Sequence, residues 1–431
     1  MGALVFSGVL IIIGLLLYFS KYKGYILHYL LFWVCFAPLL YHLFIGFGEE
    51  IEYFEMIQWA KYLGLFIFII SVFKNRGEQF SILYLLLAIV FVYALFLGLI
   101  RGTSIFSSVK FVFGSFFELM VFMGIYNTPI KRKSLLRFIR LILWIEIVCV
   151  FIEALTGFSF YPQPDDIRVR ITGSFYNSNL CAEFLSVLLF VIIYLDAKKE
   201  GRISAKNWVL FIIISIIVFY SGIRMALLCH ALIGFLFVYS IYKDRVNKRT
   251  LIASGVIIAG VIFIASKYWL SNADVTYDSE VTSAAQRQNV LASVFLQEGY
   301  LNEQTTMYYT VFVLSYFPDN PIFGPGLLFQ SPAGYGGVVS VEEANLTDCT
   351  LALRICETGL IGVLLFFLIY YNVLRKLCGN SKGARLVFYF MLIVTITDPG
   401  IFFLGNYLGF ISLVLIEKKD ELSQRRLKKV L

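Results

Sequence analysis

Several short groups of polar residues in this 431-residue chain have types and spacings that suit the binding of an anion. The first runs from Arg168 to Asn179 and carries Arg168 and Arg170, two residues apart. Residues two apart in an extended segment point to the same side, so both guanidinium groups would face one partner. Asn177 or Asn179 suits the cap of a following helix, and helix N-termini attract anions. The alternative is a capped helix whose neighbouring arginines only face solvent.

A second group, Ser221–Arg224, is a very short turn between two apolar runs. It places Arg224 at the edge of a run, where a long basic side chain extends to lipid headgroups. The other interpretation is a specific anionic partner, because charges beside membrane spans are costly and are often functional. Arg354 abuts an apolar run in the same way. It precedes Glu357 by three residues, a spacing at which side chains pair on a helix.

The remaining candidates lie in the longest polar stretch of the chain, from about Trp269 to Thr350. We predict helices over 283–298 and 305–317 in this stretch, followed by a segment that proline and glycine keep irregular. Arg287 lies in the first of these helices. Asp348 comes just before the next apolar run, where an acidic side chain either caps the helix or takes part in chemistry.

The composition shows what kind of scaffold must position these residues. The chain is 59% hydrophobic and 15% charged, with a mean hydropathy of +0.81, whereas soluble domains contain about 25% charged residues. Apolar runs long enough to cross a bilayer of about 30 Å recur from end to end. They are continuous rather than alternating, which favours helices over a β-barrel. The predicted fold is an all-α polytopic membrane protein of about 12–13 transmembrane helices with one large extracytoplasmic loop.

The charge pattern orients the predicted spans. The spans lie at 3–19, 25–46, 54–73, 79–99, 106–126, 137–157, 174–195, 207–220, 223–242, 250–268, 350–371, 386–397 and 401–416. The last two are short, so they form either two crossings or one broken hairpin. Most of the 36 basic residues lie in loops after odd-numbered spans or in the tail at 417–431. The positive-inside rule puts these segments in the cytoplasm and the loop at 269–350 outside.

Other kinds of site find little support in the sequence. The net charge of +8 comes from residues spread over short loops, which argues against a nucleic-acid-binding face. The seven cysteines include no CxxC pair, and the three histidines are not spaced to bind a metal ion. The chain also has no glycine-rich nucleotide loop. From the histidine spacing we expect no metal, and from the missing loop no nucleotide cofactor.

The order of the polar groups resembles the bacterial superfamily of O-antigen ligases and O-antigen or capsule polymerases of the Wzy type. Members carry an Arg-x-Thr-Gly-x-Phe-x-Asn-Pro-Asn signature, a Ser-x-x-Arg turn, a break of Asn or His followed by Pro-Leu-Phe-Gly, and a Glu-x-Gly-Leu-Ile-Gly segment. The matching segments are 170–179, 221–224, 320–324 and 357–362. Ser178 replaces the proline of the first signature. The resemblance covers about residues 165–371.

Two departures bear on which branch of the superfamily the chain resembles. Ligases carry a His-Asn pair about eleven residues before the glycine of Glu-x-Gly, where this chain has Asp348 and Cys349. An aspartate at this place is compatible with polymerases, so the resemblance favours a polymerase. Members also carry an arginine about fifteen residues before the proline–glycine break. Thr306 stands there in this chain, and the nearest loop arginine is Arg287.

The resemblance implies glycosyl transfer on the outer face of the bacterial cytoplasmic membrane. The donor would be a growing glycan on undecaprenyl pyrophosphate, and the acceptor would be the terminal sugar of another lipid-linked repeat unit. Pyrophosphate is a good leaving group, so the expected help is positive charge beside it and a base near the acceptor hydroxyl. Partners implied by the resemblance are a chain-length regulator and a flippase.

The candidate residues divide between these two tasks. Asp348 is the predicted base or acceptor-positioning group, and Arg224 is predicted to stabilise the departing pyrophosphate. The predicted residues for binding pyrophosphate or glycan are Arg168, Arg170, Asn177, Asn179, Arg287 and Arg354.

Three other functions stay open. A ligase would move the finished glycan onto an acceptor. A lipid-linked oligosaccharide flippase or another transporter would carry charges inside its spans, and such charges are Lys61, Glu118, Glu146, Glu153 and Glu183. Transporter folds usually contain two similar halves, and no internal repeat is visible here. The third alternative is a non-catalytic subunit of an envelope assembly complex.

Overall fold

All regular secondary structure in the described part of the protein is helical. The computed structural model describes residues 2–45, 53–74, 80–101, 105–126, 128–156, 172–175, 178–221, 224–242, 321–324, 350–379, 381–395 and 404–430. They form α1 Gly2–Phe19, α2 Ile26–Ile45, α3 Tyr53–Lys74, α4 Ser81–Arg101, α5 Ile105–Ile125, α6 Arg132–Thr156, α7 Ser178–Glu200, α8 Ala205–Tyr220, α9 Arg224–Tyr242, α10 Thr350–Lys376, α11 Lys382–Val394 and α12 Leu404–Val430. No strand occurs within these ranges.

Every predicted span with described residues contains a helix, although the seventh begins at Ser178 and not at residue 174, because a turn occupies residues 172–175. Helix α6 begins earlier than predicted, at Arg132, because lysine and arginine continue a helix well beyond the apolar run. For the same reason α12 continues through most of the basic tail to Val430. The predicted span at 250–268 and the loop helices at 283–298 and 305–317 lie outside the described residues.

Three described helical segments are long and apolar enough to cross a membrane. They are Ser81–Ile100 in α4, Leu180–Glu200 in α7 and Glu357–Lys376 in α10. Further apolar helices of 10–17 residues accompany them, among them Ala205–Tyr220. A helix satisfies its own backbone hydrogen bonds, as a segment in hydrocarbon must. The all-α prediction is confirmed for the described residues, and these helices are consistent with a membrane protein.

Helix α7 lies at the centre of the bundle. It packs against α6, α8, α9, α11 and α12, and its apolar segment is 89% buried. A helix that is apolar on all sides requires such surroundings. By contrast, the apolar segments of α4 and α10 are only 44% buried. They expose large side chains such as Leu99 and Phe367.

Two ends of the bundle can be told apart by their side chains. At the first, which we call the basic end, Arg140 lies 2.6 Å from Asp196, and Lys198 lies 2.7 Å from Glu417. These pairs join the start of α6 and the end of α7 to each other and to α12. The charge pattern predicts that the loops before α6 and after α7 lie on the same side as the tail that follows the last span. The two ion pairs agree with this, because they bring these three segments together at one end.

The opposite end, which we call the site end, contains the end of α6 and the starts of α7, α9 and α10. Helices α6 and α7 reach it because their other ends meet at Arg140 and Asp196. Tyr242, the last residue of α9, accepts a hydrogen bond from the backbone of Ile203 at the basic end. Helix α10 leads into α11, whose Gly383 packs against the end of α7. Helices α7, α9 and α10 therefore run from the site end to the basic end.

Candidate functional site

Two buried glutamates of α6 hold the turn that follows the arginine pair in the sequence. Oε2 of Glu153 accepts hydrogen bonds from the backbone N–H groups of Thr172 and Gly173, both at 2.8 Å. Its Oε1 accepts one from the Thr172 hydroxyl at 3.1 Å. Glu146, two helical turns earlier on the same face, accepts from the backbone N–H of Ser174 at 3.2 Å and has a 2.5 Å contact with its hydroxyl. Residues 172–174 are therefore bound through carboxylates.

This turn, which we call the clamped turn (172–175), depends on Gly173. Its φ of 59° lies in the left-handed region, which glycine enters without steric cost. A Cβ on Gly173 would lie 3.1 Å from Oε2 of Glu146 and 3.3 Å from Sγ of Cys181. The Ser174 hydroxyl also lies 3.0 Å from the carbonyl oxygen of Cys35 in α2. The turn is thus fixed to two helices immediately before α7 begins.

The predicted residues around the clamped turn are described only in part. Helix α7 begins at Ser178, which confirms the predicted helix start at this signature. Asn179 is the second residue of α7, and its side chain lies outside the described residues. Arg168, Arg170 and Asn177 lie wholly outside them, so their predicted roles in anion binding stay predictions.

The short turn before Arg224 is confirmed. The buried Ser221 ends α8, and its hydroxyl donates to the carbonyl oxygen of Val218 at 2.6 Å. Helix α9 begins at Arg224, only three residues later. Helix α8 starts at the basic end, where Asn207 donates to Asp196 at 3.1 Å, so the turn lies at the site end. The Arg224 side chain is outside the described residues.

Helix α10 is interrupted near its start by Gly359, whose φ is 60° and ψ is −164°. The segment Pro321–Gly324 docks against this interruption. The N–H of Leu360 donates to the carbonyl oxygen of Pro321 at 2.9 Å, and that of Ile361 donates to Ile322 at 3.3 Å. Two sequence motifs that stand far apart in the chain therefore form one structure, which we call the docked break (321–324 with 357–362).

The docked break leaves no room for a side chain at its centre. A Cβ on Gly359 would overlap backbone atoms of Ile322 and Gly324. On the other side of the interruption, the Tyr93 hydroxyl of α4 donates to the carbonyl oxygen of Thr358 at 2.7 Å. Backbone groups that leave helical pairing inside a membrane need such substitutes. Here three hydrogen bonds serve as substitutes: Tyr93 of α4 supplies one, and the docked segment supplies the acceptors of the other two.

The other predicted residues of this region fall outside the described side chains. Arg354 lies in α10, one helical turn before Thr358, but its side chain is not among those described. Glu357 is buried, and its predicted pairing with Arg354 remains a prediction. Asp348 and Arg287 lie outside the described residues altogether.

Three residues at the site end were not predicted as part of a site. Glu146 and Glu153 were noted only as charges within a span, and Tyr93 was not singled out. The spacing of the glutamates was the available signal, because residues seven apart share one helix face. Nothing in the sequence marked Tyr93, since its partner Thr358 is 265 residues away.

No protein-family model matches this sequence, and no curated protein matches it either. The class of protein is defined by the fold of the described residues and by two backbone structures. It is a helical bundle, consistent with a membrane protein, with the clamped turn and the docked break at one end.

Proposed function

We propose that this protein polymerises undecaprenyl-pyrophosphate-linked oligosaccharide repeat units into an O-antigen, capsular or exopolysaccharide. It would act on the outer face of the bacterial cytoplasmic membrane, as a metal-independent glycosyltransferase. The observation that carries the proposal is the shared location of the motifs that resemble the polymerases. The clamped turn, the turn before Arg224 and the docked break all lie at the site end.

The backbone at the site end suits the chemistry of the proposed reaction. Helices α7, α9 and α10 all begin there, and each N-terminus contributes a partial positive charge. Arg170 comes two residues before the clamped turn, Arg224 is the first residue of α9, and Asp348 comes two residues before α10. Arginines near helix N-termini suit a departing pyrophosphate, and a carboxylate suits an acceptor hydroxyl.

The buried glutamates favour an enzyme over a transporter. Glu146 and Glu153 bind the backbone of the clamped turn. Glu183 of α7 accepts a hydrogen bond from Asn406 of α12 at 2.5 Å. A transporter would need charged groups along a pathway, whereas these three carboxylates hold segments of the fold together.

The first test is the surface glycan of a bacterial strain that lacks this protein, compared by gel with the same strain after the gene is restored. We expect the ladder of chain lengths to collapse to a single repeat unit without the protein. A ladder that persists on the lipid carrier but never reaches its final acceptor would contradict polymerisation and indicate a ligase. An unchanged ladder on its normal acceptor would contradict both enzymes.

Arg224→Ala tests the proposed leaving-group role. Loss of one positive group that stabilises transition-state charge lowers turnover by about 100-fold, so we expect long chains to disappear while the protein remains folded in the membrane. The control is Arg202→Ala, because Arg202 is exposed in the loop between α7 and α8 at the basic end. Wild-type chain lengths in the Arg224 variant would remove this residue from the site.

A further inference from the structure

A cleft of about 70 Å³ lies between α4, α5 and α10. Its walls are almost entirely apolar, and aromatic rings from all three helices form part of them. The ring centroids of Phe116 in α5 and Phe366 in α10 are 6.0 Å apart at the wall. None of the described residues that line the cleft is charged. It therefore suits a hydrocarbon group and not the charged head of a lipid.

Two interrupted helices meet at this cleft. Phe116 has a non-helical backbone with φ −128° and ψ 15°, and it lines the cleft from α5. Thr358, directly before the interruption at Gly359, lines it from α10. Non-helical backbone at membrane depth is tolerated where it faces a cavity or is covered by protein. In membrane transporters such discontinuous helices form the substrate sites.

A buried hydroxyl also faces the cleft. Ser115 of α5 is 1% exposed and lines the cleft. Its Oγ has no hydrogen-bond partner among the described residues. A buried hydroxyl without a partner is costly, and a serine in a helix usually bonds the carbonyl oxygen one turn earlier. A ligand that reaches Ser115 would contact both an apolar wall and this hydroxyl.

The cleft is accessible from the surroundings of the bundle. Phe367 lines it and is 64% exposed, and Leu364 beside it is 60% exposed. Both belong to the part of α10 that is long and apolar enough to cross a membrane. A hydrocarbon chain could therefore enter sideways from the bilayer. The Thr358 side of the cleft adjoins the docked break, so a headgroup attached to that chain would lie at the site end.

We propose that the cleft between α4, α5 and α10 binds a short segment of the isoprenoid chain of the lipid-linked substrate, an inference that rests on the proposed function. The walls hold the chain, and the interruption in α10 directs the pyrophosphate toward the helix N-termini at the site end. An acyl chain of a bilayer phospholipid shares the same apolar chemistry, and the experiment below separates the two sources.

The test uses the purified full-length protein in vesicles of phosphatidylethanolamine and phosphatidylglycerol. The probe is a polyprenyl phosphate that carries a photoreactive diazirine on its chain, and labelled peptides are located by mass spectrometry. We expect labels on α5 and α10 at the cleft. Excess unlabelled polyprenyl phosphate, at about ten times its dissociation constant, should reduce them about tenfold by mass action. Excess phosphatidylglycerol should not reduce them.

A matched pair of variants locates the site. Val363→Trp fills the cleft, because Val363 lines it, whereas Leu368→Trp adds bulk at an exposed position of the same helix that does not line the cleft. We expect the first to lower labelling at least about tenfold and the second to leave it unchanged. If the Val363 variant fails to fold, the competition of unlabelled polyprenyl phosphate and phosphatidylglycerol for the wild-type protein still tests whether the cleft selects the isoprenoid chain.

Three results would overturn the inference: equal labelling by a diazirine-bearing phosphatidylethanolamine, displacement by phosphatidylglycerol, or unchanged labelling in a folded Val363→Trp protein. Failure of the proposed function gives a different result. The glycan ladder would survive loss of the protein, while selective isoprenoid labelling of the cleft would still support the cleft as an isoprenoid site.

Discussion

The clamped turn and the docked break are built by opposite means. In the clamped turn, the carboxylates of Glu146 and Glu153 bind the backbone from a neighbouring helix. In the docked break, backbone groups of residues 321 and 322 bind backbone groups of residues 360 and 361 directly, around Gly359. The comparison teaches which change each structure can tolerate. Both structures contain a glycine with positive φ, but the clamped turn also depends on the side chains of α6, whereas the docked break depends on direct pairing of backbone groups.

Gly359→Val should cause the largest loss of stability. It would disrupt the docked break and leave the clamped turn intact. A branched side chain would overlap the backbone of Ile322 and Gly324, and the backbone there has a positive φ. We expect a loss of at least about 4 kcal/mol in the free energy of unfolding, the range reached by severe core changes. Thermal unfolding of the purified protein measures it.

Gly8→Ala is the control for that experiment. Gly8 lies in α1, and a Cβ there would meet nothing within 4 Å. We expect its melting temperature to stay near that of the wild type. If Gly359→Val melted like the control, the docking of residues 321–324 onto α10 would be wrong.

Glu153→Ala comes next and tests the clamped turn. It would leave two backbone N–H groups and the Thr172 hydroxyl buried without their acceptor. Each such buried group costs about 1–3 kcal/mol. Taking the lower end for the three groups, we expect destabilisation of about 3 kcal/mol and loss of the glycan ladder. Glu153→Gln keeps an acceptor oxygen and should retain most of the stability.

The contrast between alanine and glutamine sharpens the comparison. If Glu153 acts by placing an acceptor oxygen beside the clamped turn and not by its negative charge, Glu153→Gln should keep the glycan ladder while Glu153→Ala loses it. Exposed Glu200, at the end of α7, supplies the control Glu200→Ala, which should behave like the wild type. Equal stability of the alanine variant and this control would show that the carboxylate does not hold the turn.

Tyr93→Phe should have the smallest effect. It removes the hydrogen bond from the Tyr93 hydroxyl to the carbonyl oxygen of Thr358 at the docked break. We expect a loss of about 1 kcal/mol, the net value of a typical hydrogen bond, measured as a shift in melting temperature. Tyr371→Phe is the control on α10, because Tyr371 is exposed. A loss as large as that of Glu153→Ala would show that side chains hold both structures.

The apolar runs predicted the helices well, since a run long enough to cross a bilayer can satisfy its backbone in no other common way. They did not predict the interruption of α10, which the sequence treated as one continuous span at 350–371. Glycine at 359 permits a positive φ but does not require it. The conformation is set by the docking of Pro321–Gly324, which local sequence does not reveal.

The site shows the same division. Residue types and spacing marked the arginine pair, the turn at Ser221–Arg224 and the two segments of the docked break as candidates. They did not show that Glu153 binds Thr172, 19 residues away. They also did not show that Tyr93 reaches Thr358.

The sequence by itself determined the fold class, the positions of the described helices and the grouping of their ends, because hydropathy and charge act locally along the chain. Only the tertiary structure decided which buried carboxylate binds which backbone segment, and that one helix is interrupted to receive another segment. These choices depend on backbone donors and acceptors that every residue carries. A pattern of residue types therefore cannot specify their partners, and packing must.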